Sequence, residues 1–135
     1  MGSTTFSGPL ISNNGFVGDF TGNVIGNVVG NVTGDLTGRV IGTTAARSGA
    51  GAVPITAATV KLTTTGANAL TLANGTDGQI LSIVMVVDGG DGTLTPTTKT
   101  GFSTITFDAV GDSVTLQYFT TLGWMILSNN GATVA

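Results

Sequence analysis

Two hydrophobic periods divide this chain, and the change between them falls near residue 43. From Gly18 to Gly42 the sequence reads GDFTGNVIGNVVGNVTGDLTGRVIG, with a glycine at every fourth position: Gly18, Gly22, Gly26, Gly30, Gly34, Gly38 and Gly42. Two places after each of the first six stands an apolar residue, namely Phe20, Val24, Val28, Val32, Leu36 and Val40. Small polar or charged residues, among them Asn23, Asn27 and Asn31, fill the position between. Collagen requires glycine at every third residue, so it is excluded. An α-helix would rotate such a stripe by about 40° per repeat and would carry the glycines at a cost of up to about 1 kcal/mol each. A β-type strand has period two, which divides four, and places glycine and Val/Leu/Phe on one face. The pattern therefore predicts an extended arm over 18–42.

Such a strand has no partners for its own backbone groups and no cover for its valines, so both must come from another polypeptide. Fully extended, it would span roughly 80 Å, longer than a domain of this size is wide. Two arrangements satisfy it: three copies winding together, or one copy lying along another protein, with the glycines allowing close approach and Asn23, Asn27 and Asn31 bonding backbone groups. A flexible linker is the plainer alternative, but linkers pair glycine with serine and lack regularly placed valines. Residues 1–17 form an N-terminal tail with isolated Phe6, Leu10, Ile11, Phe16 and Val17.

Residues 43–58, TTAARSGAGAVPITAA, replace the repeat with small residues and Pro54, and are expected to be a linker. From residue 59 to 135 short apolar runs alternate with turn residues. Strands are predicted at 60–64, 69–72, 80–87, 93–95, 104–107, 113–118 and 124–127, with ILSIVMVV (80–87) the strongest. Turns fall at Gly66, Ala73–Gly78, the DGGDG run Asp88–Gly92, Gly101, Gly111-Asp112, Gly123 and Asn130-Gly131. With no helical period anywhere, the fold class is all-β: a repeat arm followed by a small antiparallel β-sandwich or barrel. Val84, Val86, Phe107, Val114, Leu116, Tyr118, Trp124 and Ile126 are expected in the core or in subunit contacts.

Composition adds that the domain does not stand alone. Only 8% of the 135 residues are charged, and there is no His or Cys. A monomer with so little charge is poorly solvated, and a domain this small gains burial by association, so a homo-oligomer is expected. A hydrophobic content of 41% argues against disorder. The four basic residues, Arg39, Arg47, Lys61 and Lys99, are scattered within a net charge of −3, which gives nucleic acid no footprint. No apolar run reaches the roughly 18 residues of a membrane span. The start, MGSTTFSGPLISNNG, has neither the basic nor the apolar segment of a secretory signal.

Little catalytic chemistry is on offer. Without His or Cys the common general-base and thiolate sites are absent, and no metal or cofactor site is expected. Asp88 and Asp91 in VDGGDGT faintly resemble a calcium loop, but a glycine-rich hairpin turn explains them better. Asp108 and Asp112 flank a turn, where a glycosidase pair would have to face across a cleft; solvated turn residues are the simpler account. Asn31-Val32-Thr33 and Asn74-Gly75-Thr76 match the glycosylation acceptor pattern by chance. Tyr118, Phe119 and Trp124 could form a sugar platform, though core or interface positions come first. The chain is not expected to be an enzyme.

GNVIGNVVGNVTGDLTG resembles the GNVTG-type tetrapeptide repeats of tailed-bacteriophage virion proteins, including those of phages infecting cyanobacteria. GQILSIVMVVDGGDGTLTP, GDSVTLQY and GWMILSNNGATVA look like the small β-domain that ends some of these proteins. The resemblance implies a homotrimeric virion component, made in the host cytoplasm. It would be either a capsid cement (decoration) protein bound outside the head, with the major capsid protein as partner, or part of a tail or head fibre that attaches to the host. The shortness of the chain favours cement. On either reading the partner-binding residues are the arm's glycines and its seam of Phe20, Val24, Val28, Val32, Leu36 and Val40.

Overall fold

A computed structural model of the chain describes residues 37–135. Ten strands follow one another there: β1 (Thr44–Ser48), β2 (Gly51–Ala52), β3 (Thr59–Thr63), β4 (Asn68–Leu72), β5 (Ile80–Val87), β6 (Gly92–Pro96), β7 (Ile105–Phe107), β8 (Ser113–Phe119), β9 (Gly123–Asn130) and β10 (Thr133–Val134). The described residues contain no helix. The strands form two five-stranded sheets, ordered β1-β3-β5-β8-β9 (sheet A) and β10-β7-β6-β4-β2 (sheet B). The fold is thus all-β and sandwich-like, with neither sheet closed into a barrel.

Pairing is mixed, where antiparallel pairing was expected. Strands β1, β3 and β5 run parallel in sheet A, as do β2, β4 and β6 in sheet B. Up to β6 the chain visits the sheets in turn, so each strand's parallel neighbour arrives one full coil later. A tight hairpin can join only antiparallel strands; here the strand in the facing sheet serves as the crossover. The DGGDG run is therefore a passage between layers and not a hairpin. It stacks on the corresponding passage of the coil before: Gly89 N–H donates to Thr64 Oγ1 at 2.9 Å, and Asn68 N–H donates to the Asp91 carbonyl at 2.7 Å. Antiparallel strands β7, β8, β9 and β10 complete the two layers.

Residues 43–58, expected as a linker, carry β1 and β2. The Thr43 carbonyl accepts from Ala58 N–H (3.0 Å) and Thr59 N–H (3.1 Å), which ties the start of β1 to the start of β3.

One apolar core lies between the sheets. Sheet A contributes Val60, Leu62, Leu81, Ile83, Met85, Val114, Leu116, Tyr118 and Trp124; sheet B contributes Leu70, Leu72, Leu94, Ile105 and Phe107. In β8 the alternation is strict, with Val114, Leu116 and Tyr118 buried and Ser113, Thr115, Gln117 and Phe119 only partly covered. Of the positions expected in the core or in subunit contacts, Phe107, Val114, Leu116, Tyr118 and Trp124 are buried and Ile126 packs against them. Val84 and Val86, expected in the core or in subunit contacts, lie on the outward face, and Leu81, Ile83 and Met85 take the core face of β5. Both alternations of ILSIVMVV are apolar, but only one includes a hydroxyl, Ser82, and that set turns outward to meet Thr115 Oγ1 at 3.1 Å.

Candidate assembly surface

The partner-binding positions from Gly18 to Leu36 lie outside the described residues. Gly38, Val40 and Gly42 are described, and all three are exposed and outside any strand. Val40 is 70% exposed and Ile41 74%, so the domain that follows covers neither. Gly42 is the point of closest approach: a Cβ there would stand 2.9 Å from the Ala58 Cβ. This part of the repeat leads directly into β1, at the end of sheet A where β1, β3 and β5 begin and β8 ends.

The outward faces of the two sheets differ. On sheet B the outward positions are Ala52, Ala69, Thr71, Thr93, Thr95, Thr106 and Thr133, aligned across the strands and none larger than threonine. Thr93 and Thr106 bring their hydroxyls to 3.4 Å. On sheet A large apolar side chains interrupt a similar Ser/Thr lattice. Ile80 stands opposite Gln117, and Gln117 opposite Met125, with Phe119 two residues further along β8. Ile80 is 53% exposed, and Leu122, in the β8–β9 turn, 42%. Lys61 is the one charged side chain at the outward positions of these strands. The apolar run alone leaves Val84 and Val86 expected in the core or in subunit contacts without choosing between them; the parity of Ser82 carries the signal that places them on the outward face.

The residues weighed for chemistry have structural partners. Asp112 is buried, in contrast to the solvated turn position expected for it, and its Oδ2 accepts from Asp108 N–H (2.9 Å) and Ala109 N–H (3.0 Å). Those donors, Asp108 N–H first, hold the Asp112 carboxyl below the ordinary carboxylate range. The neighbouring Asp112 carboxyl raises the pKa of the exposed Asp108 side chain, whose protonated form can share a hydrogen bond with it. The two carboxyls thus lie within one turn and not across a cleft. Asp88 Oδ1 accepts from Gly90 N–H at 2.8 Å, a local turn bond. Among the described residues no three metal-ligating side chains gather.

Trp124 is fully buried, donates Nε1–H to the Ala73 carbonyl at 2.8 Å and meets Tyr118 edge-on, with ring centroids 5.3 Å apart. Neither ring is available as a sugar platform. A shallow depression of about 300 Å³ is lined by Ala67, Asn68, Ala69, Asp91 and Thr93. Asn68 Oδ1 in it is already engaged by Thr65 N–H at 2.9 Å. No protein-family model matches the chain, and no curated protein is significantly similar to it.

Proposed function

We propose that the protein is a virion structural component of a tailed bacteriophage: a homotrimeric capsid cement protein that binds the outside of the head. The observation that carries the proposal is the four-residue repeat, whose last members Val40 and Ile41 stand uncovered by the domain they enter. Apolar residues placed at regular spacing and left bare by their own domain suit a segment built to lie against another chain. The scarcity of charge supports the same reading, since interface cores are depleted of charged residues. The resemblance of the repeat and of the C-terminal half to phage virion proteins supplies the biological setting. Many small contacts, repeated along each arm and over three copies, would hold neighbouring capsid subunits together by multivalency.

Light scattering on the purified chain, alone and mixed with phage shells that lack it, tests this. A trimer that decorates the shells is expected, with occupancy lost when residues 18–42 are deleted. A monomer without affinity for shells overturns the proposal; a trimer that ignores shells but adsorbs to host envelopes would reassign it to a fibre.

A further inference from the structure

We infer that the outward face of sheet A, around Ile80, Gln117, Met125 and Leu122, is where a second copy of this chain docks. The inference rests on the trimeric reading above and adds which surface makes the contact. Two observations lead to it. The first is where the chain outside the described residues ends: 36 residues precede Thr37, and the described segment that follows, 37–43, enters sheet A at the end where β5 starts with Ile80 and β8 closes on Phe119. Gly42 packs on Ala58, whose carbonyl accepts from Ser82 N–H at 3.0 Å, so only the start of β3 lies between the junction and the beginning of β5.

When three arms associate, the three junctions are held together, and linked segments of this length impose effective concentrations of about millimolar on whatever lies beside them. The far end of β5 is about 25 Å away along the strand and escapes that constraint. The second observation is the difference between the faces. Sheet A presents Ile80, Met125, Phe119 and Leu122 within this region, with no charge among them, whereas sheet B presents only Ala and Thr. Close to a threefold axis each residue meets its own copies, and an uncharged patch with Gln117 at its centre does so without repulsion. Gln117 already donates Nε2–H to the Gly78 carbonyl at 3.3 Å, and among the described residues its side-chain oxygen has no partner.

The chain contains no cysteine, so single-cysteine variants label at one place. Ile80→Cys, Leu122→Cys and, on sheet B, Thr95→Cys in the full-length protein would each be labelled with pyrene maleimide. All three positions are exposed, and circular dichroism establishes that each variant is folded. Excimer emission several-fold above the Thr95→Cys level is expected at Ile80→Cys or Leu122→Cys. An oligomer by light scattering with no excimer at either position, or with excimer at Thr95→Cys instead, overturns the docking face while leaving the assembly proposal standing. A monomer by light scattering removes both.

Discussion

Asp112 occupies a position where backbone N–H groups would otherwise go unpaired, and its carboxylate takes two of them inside the β7–β8 turn. Replacing it by alanine should cost about 1.5–3 kcal/mol, the range for hydrogen bonds to a charged acceptor, measured by urea unfolding at neutral pH. The signs of the two carboxyls are opposite. The lowered pKa of Asp112 gives stability that is complete above the unfolded value of about 3.9 and is lost as pH falls through its folded pKa. The raised pKa of Asp108 favours the fold only at low pH, and that contribution is lost as pH rises through its folded value. Asp108→Asn should therefore raise Tm at neutral pH, with the gain shrinking under acid; a lower Tm at pH 7 would refute the pairing. A single residue also carried the clearest sequence signal that went unused. Ser82 shares its face of β5 with Val84, and a hydroxyl in an otherwise apolar strand marks the outward side.

At the scale of elements, strands were legible and their neighbours were not. The alternation in β8 and the apolar run of β5 announce themselves because each buries a full row of side chains. Strand β1, Thr-Ala-Ala-Arg-Ser, buries none completely, so its residues carry no hydrophobic alternation and it hid within a presumed linker. Parallel order was invisible for another reason: turn residues report that the chain bends, not which layer it bends towards. Gly123 shows how closely such bends are built. It begins β9 with φ of +76°, and a Cβ there would collide with the Thr98 carbonyl. Trp124 N–H donates to that same carbonyl at 2.9 Å. Gly123→Ala should lose at least about 1–2 kcal/mol from the left-handed backbone alone, read as a drop in thermal midpoint; an unchanged midpoint would show that the 98–100 segment yields freely.

For the molecule as a whole, the scarcity of charge sets how the proposed assembly should respond to salt. With 4 basic and 7 acidic residues in 135, contacts between copies through the described faces would be apolar and hydroxyl-bearing, and screening would have little to act on. Self-association should accordingly persist from low to high salt; dissociation at raised ionic strength, followed by light scattering, would count against apolar docking. The alternating course of the first six strands has a kinetic corollary. No two of them that are successive along the chain share a sheet, so no local ribbon among them can nucleate, and every pairing must wait until a whole loop has closed. The antiparallel β8–β9 hairpin, together with β5, is the most local piece of sheet A available as a seed. Since β8 leaves the ribosome late, the side of β5 that it covers stays an unpaired edge until the chain's last third has emerged.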